Sequence, residues 1–492
     1  MKIKIKLLAS LVSVVSILIG SGGSAYASTN SYPSYRFTKI NDVTNGWSNG
    51  TASATDSSNN TYTLSIWNGT VKFNPGDNSS SFTPSAGQNN NTATCALTKY
   101  SSSGSYQWTK VVDYLDSNND ISICVSLAVG SNGVVYVGGW GNGTITFDGI
   151  GGTHSYTEPY NNSGFSFVNE YKTDGSYLKT LVLPTGDVNS YNQINSISVD
   201  SNNNLYVGGQ AYGNLSFDGT NFDTYNRATA YTVKYNDQGV YQWINLPNVS
   251  PYSEYYTQYV TNDKSGNTYS CGQYDYSGGT AAYSTFIEKI SSDGTGSWVK
   301  SIIADNNEQN SCNSMVLDSN GNVYTAGYFR GSTTFDGVGG THVISNTAGD
   351  YSGYILKLGS DGSYQWTKVN ILGGAGDYTA VDSVVIFNNE LYVVGVFEGN
   401  VQFNQNDVNS VLSSPSKYNA YFSGYGLDGT YKFTRSTDNT NDSNTTMQYV
   451  QASVDSLGNI YIVGTGHGTP VFDGPGGIDK QQIGDGMGVT SA

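Results

Sequence analysis

The stretch DSNGNVYTAGYFRGSTTF, residues 318–335, holds the pattern that decides the fold. An Asp-led turn (Asp318) is followed by Tyr324, then Gly331 seven positions on, then Phe335 four positions later. The same spacing recurs as Tyr62-Gly69-Phe73, Tyr136-Gly143-Phe147 and Tyr206-Gly213-Phe217, and again as Tyr392-Gly399-Phe403 and Tyr461-Gly468-Phe472. A further copy starts at Tyr269 but loses the Gly and the Phe. Successive Tyr residues lie 55 to 74 positions apart, a period that fits propeller blades and is too long for solenoid repeats.

Working outward from that core, each unit reads as four short strands. Ser196 to Val199 is a first strand ending at Asp200, and Asn-rich residues then supply the positive φ that tight hairpins need. Leu205-Tyr206-Val207 is a second strand, Tyr231 to Tyr235 a third, and Tyr241-Gln242-Trp243 opens a fourth. Period-two alternation with aromatic and β-branched residues marks sheet faces packed on other sheets. The fixed Gly is expected at a bend in the second strand. The last unit has no fourth strand of its own after a third-strand candidate around Met487 to Thr490. At the other end, Ser34-Tyr35-Arg36-Phe37-Thr38-Lys39 matches Ser363-Tyr364-Gln365-Trp366-Thr367-Lys368.

The expectation is therefore an all-β, seven-bladed propeller of four-stranded antiparallel blades, closed by the N-terminal strand completing the last blade. The blades fall near 45–112, 116–183, 190–247, 253–303, 308–371, 376–436 and 445–492 plus 33–41, in one domain spanning 28–492.

Lys2, Lys4 and Lys6 precede an apolar run from Leu7 to Ile19 and small residues ending Ala25-Tyr26-Ala27. That order reads as a secretory signal over 1–27, cleaved before Ser28. The run is too short for a membrane span, and no later stretch approaches one, so membrane insertion is not expected. The chain carries a net charge of −16, or −19 once the three leader lysines are gone (19 basic against 38 acidic residues). Such a balance argues against nucleic acid and anionic membranes as partners. A secreted or surface-associated monomer is expected.

The units resemble the bacterial SBBP-type β-propeller repeat family of secreted and surface proteins, through pieces such as "DSNGNVYTAGYF", "GSTTFDG" and "YILKLGSDGSYQWTK". The resemblance implies architecture and supplies no catalytic residues.

The four cysteines, Cys95, Cys124, Cys271 and Cys312, are an even count in an exported chain, which reads as oxidised. Their strand positions place them near one face of the disc and suggest pairing between adjacent blades, Cys95–Cys124 and Cys271–Cys312. His154, His342 and His467 are too dispersed by the repeat to converge on a metal. The Asp-led turns at Asp56, Asp200, Asp263, Asp318 and Asp455 offer oxygens that calcium could use, but they lack a closing Glu; turn capping is the better reading, and no cofactor is expected. Glu170 and Glu288 sit on third strands, and Glu170 replaces a recurrent Lys. No catalytic constellation emerges.

Aromatics after the second strand, Trp67, Trp140, Tyr328, Phe329 and Phe397, are candidates to rim one face and bind a ligand, or else to pack between blades. The functional expectation is a non-catalytic propeller binding an extracellular glycan, cell-envelope component or protein. The competing class is a polysaccharide-acting hydrolase or lyase with carboxylates on the loop face.

Overall fold

The computed structural model describes residues 13–20 and 34–472, apart from short stretches of the connecting loops. The chain is an all-β propeller. Six blades are each built from one continuous length of chain, in four-stranded order first-second-third-fourth. In blade 5, for example, Asn310–Leu317 pairs with Val323–Phe329, that strand with Ser352–Leu358, and that one with Tyr364–Val369. Blade 6 follows with Tyr378–Phe387, Glu390–Gln402, Val411–Gly426 and Tyr431–Ser436.

Two expectations are corrected here. The blade count is six, not seven, because the final unit contributes only two strands of its own among the described residues, Thr446–Val454 and Ile460–His467. The closure expected from the N-terminal strand is not seen either. Among the described residues Ser34–Ile40 pairs with Ser13–Gly20, and Ser13–Gly20 in turn pairs with Ile460–His467. The apolar run read as a leader thus takes the third position of that sheet. Its alternating β-branched residues give it strand character, and an open sheet edge accepts such a segment. The strand expected around Met487 to Thr490 and the cleavage point before Ser28 lie outside the described residues.

The repeat signature has a physical cause at every position. Each turn Asp is consumed by capping: Asp200 accepts from the Asn202 and Asn204 amides (2.9 Å each), from Asn204 Nδ2 (2.8 Å) and from the Tyr206 hydroxyl (3.0 Å). Asp56, Asp318 and Asp455 repeat this pattern with Tyr62, Tyr324 and Tyr461. The buried Tyr then carries a Trp from the fourth strand on one side, as in Tyr206–Trp243 and Tyr324–Trp366, each 6.0 Å between centroids. A third-strand lysine lies over the same ring, Lys234 at 5.2 Å and Lys357 at 5.1 Å. That lysine continues to the next blade, where Lys357 donates to the Leu427 carbonyl at 2.9 Å. In blade 2 the pair is exchanged for charge: Glu170, nearly buried, meets Lys179 at 3.4 Å. The fixed Gly has positive φ in all six complete copies, between 66° and 86°, where a side chain would be strained. The Phe four residues later is buried in each copy.

First strands of neighbouring blades lie side by side and are stitched by serines. Ser126 Oγ accepts from the Ile197 amide (3.0 Å), Ser196 Oγ from Val260 (3.1 Å) and Ser314 Oγ from Val384 (3.2 Å). Ser53 of blade 1 lies 2.9 Å from Ser453 of the C-terminal unit.

Candidate functional site

Antiparallel order brings the start of each first strand, the end of each second strand and the start of each third strand to one end of a blade. In blades 5 and 6 tyrosines occupy all three places. Tyr328 ends a second strand, Tyr351 precedes a third strand, Tyr378 starts a first strand, and Tyr418 lies within the third strand of blade 6. Their rings form a continuous file: Tyr328–Tyr351 at 5.0 Å, Tyr351–Tyr378 at 6.0 Å and Tyr378–Tyr418 at 5.4 Å, all nearly edge-to-face. Tyr418 is exposed, and the other three are half-buried. Blade 4 adds Tyr256, whose hydroxyl donates to Gln273 Oε1, and the exposed Tyr283. Gln309 Nε2 donates to the Tyr351 hydroxyl, and the Arg330 guanidinium stands 5.6 Å from the same ring while bonded to Glu308 at 2.8 Å.

Asp382 lies on the same first strand as Tyr378, at its bulge between Val381 and Ser383. The residue is half-buried, but Oδ2 is sealed and has no hydrogen-bond partner. Desolvation pushes its carboxyl up to about 8. Its charge in turn helps raise the phenols of Tyr378, Tyr328 and Tyr421, which burial has already pushed up.

Both disulfides form, Cys95–Cys124 and Cys271–Cys312, each linking one blade to the next. Cys312 immediately follows Ser311, whose carbonyl accepts from the Tyr354 hydroxyl at 2.9 Å and whose hydroxyl meets Gln258 Oε1 at 2.9 Å. The second bridge therefore braces the seam below the tyrosines. Two disulfides fit an oxidising, extracellular environment, and no described helix is long and apolar enough to cross a membrane.

Of the aromatic candidates from sequence, Trp67, Phe329 and Phe397 are enclosed in the core and pack edge-on against Phe73, Phe335 and Phe403, so they rim no face. Trp140 and Tyr328 are half-buried, and only Tyr328 joins the file. Sequence reasoning missed Tyr351, Tyr378, Tyr418 and Asp382. The available signal was a column: the bulge position of the first strands reads Thr51, Val125, Asn195, Gln258, Asn313, Asp382 and Val450, and Asp382 is its one acid.

His154 and His342 hold their own loops, each with Nδ1 2.7 Å from a turn carboxylate, Asp148 and Asp336. Cys95, Asp113 and Cys124 bring ligand-type atoms within 4.8 Å of one another, but both sulfurs are spent in the disulfide, leaving one carboxylate. A rim cleft of 240 Å³ beside Phe403, Asn404 and Tyr431 holds no comparable grouping of rings and buried acid.

No family model matches the chain, and no curated protein matches it. Among solved structures it is similar to a protein of unknown function from Bacteroides caccae, at 10% identity over 69% of this chain and 89% of that one, with a TM-score of 0.34. It is also similar to a protein of unknown function from Dyadobacter fermentans, at 10% identity over 74% and 93% of the two chains, TM-score 0.39. A mutant apocarotenoid oxygenase from Synechocystis aligns at 11% identity over 66% and 62%, TM-score 0.35.

Proposed function

We propose that this chain is an exported, non-catalytic propeller of the SBBP-like repeat type that binds a glycan on the tyrosine-lined end of blades 4 to 6. The observation that carries the reading is the file Tyr328–Tyr351–Tyr378–Tyr418, which crosses from blade 5 to blade 6 and ends on an exposed ring. Aromatic rings offer flat apolar faces with a polar hydroxyl edge, which suits the C–H face and hydroxyls of a sugar. The fold holds these rings on strand ends braced by a disulfide, so little ordering entropy is lost on binding. Export is supported by the leader-like order of residues 1–27 and by the two bridges. A glycan array probed with the exported protein, followed by a product assay on any bound polymer, tests the reading. Retention without turnover is expected. Release of product, abolished by a single carboxylate substitution, would favour the hydrolase or lyase class instead.

A further inference from the structure

We propose that Cys95, Asp113 and Cys124 give the seam between blades 1 and 2 a second means of closure. With the disulfide reduced, the two thiolates and the carboxylate hold a thiophilic divalent cation of the Zn²⁺ class. The site lies apart from the tyrosine file, on the other side of the blade series.

Three segments of chain meet there. Cys95 lies on the third strand of blade 1, Thr94–Tyr100, and Cys124 on the first strand of blade 2, Ile121–Val129. Asp113 follows the fourth strand of blade 1, Tyr106–Val111, whose pairing with the third strand ends with the Val112 amide donating to the Cys95 carbonyl at 2.8 Å. That pairing returns the acid beside the first cysteine. Both sulfurs and a carboxylate oxygen lie within 4.8 Å of one another, and all three residues are fully buried. Ser122 Oγ stands 4.0 Å from Cys95 Sγ and offers a fourth donor.

This is a donor set for a tetrahedral site. Metal–sulfur bonds of about 2.3 Å set tetrahedral donors roughly 3.8 Å apart, so the carboxylate already stands near ligand spacing and the sulfurs have only to part. A disulfide alone gives no account of the acid. Asp113 Oδ1 accepts from the Cys95 amide at 2.7 Å, which an Asn would do equally well. Its Oδ2 is sealed and has no hydrogen-bond partner, which costs folding free energy. A cation held by the two sulfurs gives that carboxylate a partner. Among the described residues no carboxylate or imidazole joins Cys271 and Cys312 in this way, so the arrangement is particular to the first bridge.

A dithiol supplies two electrons and two protons to the Cys95–Cys124 bond and closes to its own disulfide. The S–S bond breaks and two thiols form. The cation is then held by thiolates and a carboxylate, so the ligand protons leave to solvent. A sealed site takes its metal as the chain folds around it, as structural zinc sites do. Oxidation in the absence of metal gives the bridge instead.

The test is anaerobic refolding of the full chain, reduced with a phosphine (itself converted to its oxide), with Co²⁺ as the probe. The reduced chain should take up one Co²⁺ with the thiolate-to-cobalt absorption of a tetrahedral site, and Zn²⁺ should bleach that signal. A double variant, Cys271→Ser with Cys312→Ser, should keep the signal, and Cys95→Ser with Cys124→Ser should lose it. Asp113→Asn, which retains the acceptor for the Cys95 amide, should weaken Zn²⁺ binding by more than the roughly tenfold typical of losing an outer-shell partner. Melts of the same samples read folding: Zn²⁺ should raise the midpoint of the reduced native chain and leave that of the oxidised chain unchanged. Absence of the thiolate band, or a reduced chain that is unfolded with and without metal, overturns the proposal. So does a band that survives loss of Cys95 and Cys124. Unchanged Zn²⁺ affinity in a folded Asp113→Asn variant overturns the place given to the acid.

Discussion

The side-chain amide of Asn313 donates to the Val381 carbonyl across the seam between blades 5 and 6, 3.0 Å away, and the residue after Val381 is Asp382, an acid at the position where blade 5 carries that amide. Ionised, its sealed Oδ2 has no partner, so Asp382 should weaken the folded protein as it loses its proton. Its folded carboxyl is raised above the unfolded value, so the folded state holds the proton longer. Stability is full below the ordinary carboxylate range and falls as pH rises towards about 8. Asp382→Asn removes that loss. At pH 8 the variant should be more stable than the native chain by on the order of 2–3 kcal/mol, since each tenfold change in proton affinity is worth about 1.4 kcal/mol before a discount for partial exposure. At pH 4 the two should melt together. Thermal melts at both pH values measure this, and a native protein that is the more stable at pH 8 would contradict it.

Glu288 gives a second, independent pH effect. It is buried between blades 3 and 4, accepts from Ser270 Oγ at 2.6 Å and Asn245 Nδ2 at 3.0 Å, and burial pushes it up to about 7. The sign is the same as for Asp382: stability is lost between the unfolded carboxylate range and pH 7. Glu288→Gln should flatten the melting temperature across pH 5 to 8, with a gain of roughly 2–3 kcal/mol at the upper end. A steeper dependence in the variant would exclude this account.

The two bridges join cysteines 29 and 41 residues apart. Peptide mapping of the non-reduced protein should recover Cys95 with Cys124 and Cys271 with Cys312. Replacing both cysteines of either pair with serine should cost roughly 2–4 kcal/mol. Loss of Cys271–Cys312 should also weaken ligand binding, because that bridge lies at the blade 4–blade 5 seam under the tyrosines. Loss of Cys95–Cys124, under blades 1 and 2, should leave binding unchanged.

What was legible in the sequence follows from where each residue's role is decided. The Tyr–Gly–Phe spacing is visible because each member is fixed within one blade: the Tyr by its turn Asp, the Gly by its φ, the Phe by its core. Disulfide partners could be read because strand position sets which face a cysteine approaches. The aromatics after the second strand were misleading for a related reason. Neighbouring blades cover both faces of a second strand, so alternation there does not separate exposed from buried rings, and Trp67, Phe329 and Phe397 are core. Tyr351, Tyr378 and Tyr418 come from separate segments that meet only across the blade 5–blade 6 seam. Asp382 shows its meaning only against Asn195 and Asn313, whose bonds to the next blade the sequence does not display. The blade count failed at the last unit, where the apolar N-terminal run competes for the third strand position.

The central claim is that the tyrosine file is a binding surface for sugar. Its most direct measurement is the affinity of the exported protein and of Tyr378→Ala and Tyr418→Ala for the glycan that the array identifies, read by titration calorimetry with melts to confirm folding. Tyr418 is exposed and Tyr378 links the two blades, so each substitution should lower affinity at least tenfold, and Trp140→Ala, on blade 2, should not. Unchanged affinity in both tyrosine variants, with folding intact, would contradict the assignment of this face.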